Sequence, residues 1–172
     1  ILMRKEVESE NNIEEFRRVI SRIKMKNLLR FLDEDDTIME VNSNNELIKI
    51  HTPNIKELLL VDGNITGIAP SACSQLPNLQ RLTIGDGIRT IGAESFLDCK
   101  KLEELSISYT VTKVCEKAFF DIPNLVFVNY GGRIEDWMNL YRNSKCEAFN
   151  QKSLIIKCID GDLSFCEVNF YE

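Results

Sequence analysis

The side chains of this chain that are best suited to chemistry are one histidine, His51, and six cysteines. A cysteine nucleophile needs a base such as histidine within hydrogen-bonding reach. His51 is distant in sequence from most of the cysteines, and Cys115 is the thiol that we would test with it first. A single histidine near a strand end is usually exposed or hydrogen-bonded. We therefore predict no catalytic residues and a protein that is not an enzyme.

The spacing of the other polar residues does not favour a bound metal or cofactor. The cysteines form no C-x-x-C pair of the kind that binds zinc. Gly85-Asp86-Gly87 follows a predicted strand but opens no long helix, which a phosphate-binding loop requires. We expect no metal, no cofactor and free, mostly buried thiols. Free thiols slightly favour a cytoplasmic location.

The elements that position these side chains follow a sequence repeat of constant length. Three copies begin at equal intervals along the chain, at Ile65, Ile88 and Val111. Each copy runs into a segment of the type L-x-x-L-x-L, at residues 79–84, 102–107 and 125–130, and a truncated copy precedes them at Ile55. A period in the low twenties with this core is typical of a leucine-rich solenoid. Such a fold offers a stacked surface rather than a reaction centre.

The alignment of the copies predicts the core. Alternate residues of a strand point to the same side of it. Leu82, Leu105 and Val128 should therefore lie one above the next, and Tyr130 should also point inward. The return side of each copy is predicted to be a turn or a short helix, with a ladder of stacked phenylalanines at Phe96 and Phe119. Cys73 occupies the same aligned position as the phenylalanines, and Cys99 occupies a leucine position, so both thiols should be buried.

The segments before and after the repeats are interpreted as covers. Residues 13–32 have apolar residues at three- and four-residue steps and a capping-box-like start at Asn12, which predicts a helix. We interpret it as a lid over the first rung, because terminal repeats need polar covers; a partner-binding amphipathic helix is the alternative. Thr37–Val41 and residues 47–51 flank a turn-rich tetrad and predict a hairpin.

The C-terminal segment departs from the repeat. A helix is predicted from Ile134, and Asp160-Gly161 between two apolar runs predicts a second hairpin. We therefore predict a single domain over residues 1–172. It comprises an N-terminal cap over 1–54, repeats over 55–133, and a divergent last repeat with a C-terminal cap over 134–172.

The outward strand positions are the candidate partner-binding surface. They are Glu57, Leu59, Arg81, Thr83, Glu104, Ser106, Phe127 and Asn129, with Tyr109 at the margin. Glu57, Arg81 and Glu104 are predicted to form a ladder of alternating charge. Four rungs of four residues give a footprint of about 250 Å², whereas a stable interface needs about 800 Å² per partner. Recognition should therefore also use flanking loops.

Charge and hydropathy limit the partners. A net charge of −6 argues against nucleic acid, which requires clustered Lys and Arg. No run of about 18 apolar residues is present, so no membrane span is expected. A protein partner of unknown identity is the prediction, and self-association through the end rungs is a further hypothesis.

The copies resemble the BspA-like, or Treponema-type, leucine-rich repeats. The pattern I-x-x-I-x-x-x-A/S-F-x-x-C/L-x-x-L-x-x-L-x-I is matched from Ile88 to Ile107 and again from Val111 to Val128, and the resemblance covers about residues 55–163. It implies a curved αβ solenoid, typically a protein-binding or adhesive module, without catalytic residues. It also makes a secreted or cell-surface location an alternative to the cytoplasm.

The prediction is therefore an α/β, right-handed leucine-rich-repeat solenoid with an N-terminal helical cap and a C-terminal β-hairpin cap. Its predicted function is a non-catalytic protein–protein interaction module that presents a short sheet face. The alternative is an adhesive or carbohydrate-binding surface domain of a secreted bacterial protein. That alternative depends on exposed aromatic residues, for which Tyr109, Phe127 and Tyr130 are the candidates.

Overall fold

The computed structural model describes residues 28–32, 37–52, 54–61, 64–144, 146–151 and 153–164. Within these ranges the chain forms twelve strands, one α-helix and one 3₁₀-helix. The first six strands are β1 (Leu28–Leu32), β2 (Thr37–Val41), β3 (Glu46–Ile50), β4 (Glu57–Leu60), β5 (Gly67–Ile68) and β6 (Arg81–Ile84). The others are β7 (Thr90–Ile91), β8 (Glu104–Ile107), β9 (Lys113–Val114), β10 (Phe127–Tyr130), β11 (Ile155–Cys158) and β12 (Gly161–Ser164). The helices are α1 (Ile134–Ser144) and the 3₁₀-helix Glu147–Asn150.

The strands form two six-stranded sheets, and the repeating part of the chain passes once through each sheet per turn. The front sheet has the order β12-β11-β10-β8-β6-β4, and the back sheet has the order β1-β2-β3-β5-β7-β9. Within the repeats, neighbouring strands of both sheets are parallel. The fold is thus a β-solenoid of about four turns with one α-helix in the described part of the chain. The α/β expectation was too helical, because the return sides contain turns and short strands.

The front-sheet register confirms the predicted core column. Leu82 pairs with Leu105, and Leu105 pairs with Val128. All three side chains are buried. The residues that alternate with them along each strand face outward and remain at least partly exposed. The constant period places each aliphatic side chain on the one below it, and burial of such side chains is the main favourable term in folding.

The back sheet was not predicted from the sequence. Its repeat strands β5, β7 and β9 have only two residues each. Segments this short carry no period that distinguishes a strand from a loop. Their parallel pairing nevertheless closes the second side of every turn of the solenoid.

Three return turns follow the back-sheet strands, at residues 70–75, 93–98 and 116–121. Of the two predicted alternatives, turn and short helix, the turn is correct. Two positions in each return turn have a positive φ although neither residue is glycine, and both positions recur with the sequence repeat: Ser71, Glu94 and Lys117, then Gln75, Asp98 and Asp121. Backbone hydrogen bonds connect consecutive turns, for example from the Phe96 N–H to the Ala118 carbonyl at 2.8 Å. These bonds satisfy buried peptide groups that have no partner within their own turn.

The predicted phenylalanine ladder is confirmed inside the return turns. The rings of Phe96 and Phe119 lie parallel, with centroids 5.2 Å apart. Phe149 continues the column at 5.7 Å from Phe119, and Trp137 packs against Phe149 at 5.0 Å. Cys73, at the same repeat position one turn earlier, is buried as expected.

The two ends of the described chain are not repeats. The predicted helix over 13–32 is wrong at its C-terminal end, because residues 28–32 form β1 and pair antiparallel with β2. Sheet hydrogen bonding outweighs an imperfect helical period in this segment. Residues 13–27 of that prediction lie outside the described ranges. The predicted hairpin is confirmed: β2 and β3 are antiparallel, with a register shift between Glu40 and Val41.

At the other end, α1 begins at Ile134 as predicted and buries Trp137 and Leu140. Strands β11 and β12 pair antiparallel, and β11 joins the front sheet beside β10. The Asp160 carboxylate between these strands accepts a hydrogen bond from the Ile134 N–H at 2.8 Å. This bond satisfies one of the free amides at the start of α1 and ties the β11–β12 turn to the helix.

Candidate interaction face

The candidate site is the outward side of the front sheet, which we call the strand face. It consists of alternate residues of β4, β6, β8, β10 and β11: Glu57, Leu59, Arg81, Thr83, Glu104, Ser106, Phe127, Asn129, Ile155 and Lys157. The first eight are eight of the nine predicted partner-binding residues, and all of them are exposed or half-buried. The alternation of buried and outward positions in each strand thus brings these eight onto one surface, and the ninth, Tyr109, follows β8 at its margin.

The predicted charge ladder forms at one of its two steps. The Arg81 guanidinium contacts Glu57, with Nη2 3.0 Å from Oε2. The hydrogen bond from Arg81 to Glu57 and the charge of this carboxylate raise the pKa of the arginine. Glu104 instead accepts a hydrogen bond from the Asn129 side-chain amide at 2.7 Å. The front sheet therefore has an ion pair between β4 and β6 and a carboxylate–amide hydrogen bond between β8 and β10.

Two further residues of the strand face, Ile155 and Lys157, were missed from the sequence. Ile155 pairs with Phe127 and Lys157 pairs with Asn129. The Lys157 ammonium lies 4.8 Å from the centre of the Phe127 ring, which is a cation–π contact. These residues follow their partners at a longer interval than the other rungs do, because α1 is inserted between β10 and β11. Alternation within residues 154–158 was the signal that would have found them.

A shallow depression of about 230 Å³ crosses the strand face. Its lining comes from three consecutive rungs, two residues from each: Gln80, Arg81, Glu103, Glu104, Val126 and Phe127. The depression therefore has Gln80 and Arg81 on one side, two carboxylates on the middle rung and apolar side chains on the other side. A second depression, of about 360 Å³, lies at the return turns beside Phe120 and Cys146, away from every predicted site residue.

The margin of the strand face contains Tyr109, whose side chain is 61% exposed. Beside it runs a row of small residues at the C-terminal ends of the strands. A Cβ added at Gly85 would lie 3.1 Å from the backbone of the preceding rung, at Val61. The next rung has Ser108 in this row, whose hydroxyl donates to Asp86. This margin is therefore tightly packed and leaves Tyr109 projecting.

The hypothetical catalytic pair is not brought together. His51 Nε2 lies 3.1 Å from a carboxylate oxygen of Glu40. Cys115 follows β9, and His51 follows β3, three strand positions away in the back sheet. At about 4.8 Å per strand the separation is at least about 14 Å, too far for proton transfer from the thiol.

The other described thiols are placed in unreactive environments. Burial raises the pKa of Cys99, Cys146 and Cys158 to about 11 and that of Cys73 above its usual value. The thiolate is the reactive form of cysteine, so these groups are poor nucleophiles near neutral pH. Among the described residues, no group of three His, Cys, Asp or Glu side chains is arranged to hold a metal ion.

A family model for the BspA type leucine-rich repeat region matches residues 40–153 in six copies. The chain belongs to this family. No curated protein and no solved structure matches the chain. BspA-type repeat proteins are generally non-catalytic modules for protein interaction or adhesion, and the family therefore suggests protein partners. In the described part of this BspA-type chain, no helix is long and apolar enough to cross a membrane.

Proposed function

We propose that this BspA-type solenoid is a non-catalytic protein–protein interaction module and that the strand face is its binding surface. The observation that carries the proposal is the register of the front sheet. It buries the aliphatic side chains in one column and holds the outward residues at fixed positions on neighbouring rungs. A rigid array of this kind binds without a large ordering cost.

The size of the strand face determines what else must contribute. Six strands span about 24 Å, and four residues per strand span about 13 Å, so the projected area is about 310 Å². This area remains well below the roughly 800 Å² that a stable partner buries on each side. A partner therefore also contacts the margin, where Tyr109 projects, or binds weakly.

The test is capture of a partner from a lysate of the source organism. A double variant, Arg81→Glu with Phe127→Ala, changes the charge and the aromatic surface of the strand face without touching the buried column. We expect specifically captured proteins to be lost. The matched control changes the opposite side of the solenoid, as Lys117→Glu with Phe120→Ala. If the strand-face variant still captures the partner and the control variant does not, the strand face is not the binding surface.

The carbohydrate-binding alternative has less support, because two of its three aromatic candidates are occupied. Tyr130 is buried and packs on Trp137, and Phe127 is half-buried and in cation–π contact with Lys157. Tyr109 is the remaining stacking surface among the three. A glycan array probed with the wild type and with Tyr109→Ala tests this alternative, which requires hits that the variant loses.

We also propose that residues 1–54 and 134–172 are covers of a single right-handed repeat domain over residues 1–172. Pairing of the β2–β3 hairpin with β5 at one end supports this, and so does packing of α1 against β9 at the other. Self-association through an end rung is the competing arrangement. It would appear in light scattering as a mass that increases with concentration.

A further inference from the structure

We propose that the depression across β6, β8 and β10 binds a Lys or Arg side chain of a protein partner. In this arrangement the charged head lies at Glu103 and Glu104, and the aliphatic stem lies over Val126. The inference rests on the proposed function, since it names the partner chemistry for the same strand face.

The first support is the geometry of three adjacent rungs. Backbone hydrogen bonds join Glu103 to Gln80 at 2.9 Å and Val126 to Glu103 at 2.9 Å. The backbone of the middle rung therefore lies one strand spacing, about 4.8 Å, from that of the next rung, which has the apolar residues. A side chain that crosses the depression contacts a carboxylate at one end and an apolar surface at the other.

The second support is the distribution of charge within the depression. Arg81 is already engaged by Glu57. Glu104 accepts a hydrogen bond from a neutral amide and forms no ion pair with another described residue, and the charge of Arg81 interacts with Glu103 and Glu104 without direct contact. Glu103 is exposed and forms no ion pair with another residue of the described ranges. Within the described part of the chain, the middle rung therefore presents two adjacent carboxylates without a contacting cation, and the net charge of the chain is −6.

The third support is the apolar surface beside these carboxylates. Val126 and Ile155, on neighbouring strands, are 37% and 36% exposed. The Ile155 N–H donates a backbone hydrogen bond of 2.9 Å to the Val126 carbonyl, so the two residues lie on neighbouring rungs of the front sheet. Lys and Arg place a methylene stem along apolar surface while their charged heads remain at polar groups. An aliphatic partner side chain would contact only the apolar part of the depression favourably, and an acidic one would be repelled by Glu103 and Glu104. A Lys or Arg side chain can contact both the apolar part and the carboxylates.

The protein contains an internal example of this arrangement. The Lys157 ammonium lies 4.8 Å from the centre of the Phe127 ring. Phe127 is also one of the residues that line the depression. A partner Lys or Arg would therefore place a second cation near this aromatic ring, where the two carboxylates of the middle rung offset the repulsion between the cations.

The experiment is selection of random twelve-residue peptides from a display library on the full chain. We expect the enriched peptides to share a Lys or Arg next to an apolar residue. The variant Glu103→Lys should weaken the best peptide about tenfold or more, because an attractive charge becomes a repulsive one. The matched control Glu116→Lys, an exposed glutamate on a return turn, should leave its dissociation constant within about twofold. Circular dichroism of both variants verifies their folding.

The other outcomes separate this inference from the function on which it rests. Peptides that lack basic residues but lose binding with Val126→Ser would contradict the cationic partner and leave the strand face as the binding surface. Peptides indifferent to Glu103→Lys and Val126→Ser alike would contradict both proposals. Absence of any enriched peptide would overturn the present inference, while capture from the lysate tests the proposed function independently.

Discussion

The front sheet and the return turns of this solenoid share one sequence period but meet different physical demands. In the front sheet, every second residue is buried and the others are free to vary, as the outward series Arg81, Glu104 and Phe127 illustrates. In the return turns, the backbone itself is constrained: Glu94 and Asp98 both have positive φ, and the hydroxyl of Ser95 is fully buried. The front sheet can therefore acquire binding specificity by surface substitution, whereas changes in the return turns alter stability.

The largest expected effect comes from the front-sheet core. Leu105 is fully buried between Leu82 and Val128. Leu105→Ala removes contacts on both sides and should lower the free energy of unfolding by about 3 kcal/mol, within the range for such truncations. The adjacent outward change Ser106→Ala should alter it by less than about 0.5 kcal/mol. Urea denaturation of both variants measures the contrast, and equal losses would contradict the division into inward and outward positions.

The second effect tests the close approach of backbones where β7 enters a return turn. A Cβ added at Gly92 would lie 2.6 Å from the nitrogen of Pro70 and 2.7 Å from the carbonyl carbon of Ala69. Because backbone atoms cannot move aside easily, Gly92→Ala should destabilise the fold by about 2 kcal/mol. Gly67→Ala is the matched control, since its nearest atom would be 3.5 Å away. If the two variants melt at the same temperature, the turns are not packed as closely as described.

A third effect has the opposite sign. Glu94 has φ of 56°, a conformation that disfavours side chains with a Cβ. Glu94→Gly should therefore stabilise the protein by about 0.5–1 kcal/mol. The same change at Glu103, which directly precedes β8 and has no positive φ, should destabilise it by about 0.5–1 kcal/mol. Chemical denaturation of the two variants measures the free energy of unfolding in each region. A lower free energy of unfolding for both variants would contradict the proposed difference in backbone constraint.

The smallest effect concerns one buried hydroxyl. Ser95 Oγ is inaccessible to solvent and has no hydrogen-bond partner among the described residues, and alanine occupies the corresponding position in the neighbouring turns, at Ala72 and Ala118. Ser95→Ala should stabilise the fold by up to about 1 kcal/mol, because it removes an unsatisfied polar atom. The reverse change, Ala118→Ser, should destabilise it by a similar amount. A destabilised Ser95→Ala variant would indicate that the hydroxyl has a partner.

The sequence predicts the parts of this fold in which the period and the side-chain pattern agree. The column of Leu82, Leu105 and Val128 and the stacking of Phe96 on Phe119 follow directly from aligned copies. The back sheet does not, because two residues per strand carry no recognisable pattern. In the strand face, Lys157 was missed because an inserted helix breaks the constant interval between rungs. The strand β1 was missed because its apolar residues fit a helical period as well as a sheet.

The depression on the strand face was beyond sequence reasoning for another reason. Arg81 and Phe127 both line the depression, and both also contact a side chain of a neighbouring rung. Arg81 extends toward Glu57, and Lys157 holds the ring of Phe127. Such side-chain positions are set by three-dimensional neighbours rather than by spacing along the chain.

The central claim is the register of the repeat, and disulfide trapping on the front sheet tests it most directly. Thr83 and Ser106 are register partners on neighbouring parallel strands. Their Cα atoms should therefore be about 5 Å apart, within the range of about 4.4–6.8 Å that a disulfide requires. The double variant Thr83→Cys with Ser106→Cys should cross-link under mild oxidation, as detected by peptide mapping with mass spectrometry. The pair Thr83→Cys with Ser108→Cys is displaced by two residues, to about 8 Å, and should not cross-link. Efficient cross-linking of the displaced pair, with none for the register pair, would contradict the stacked repeat.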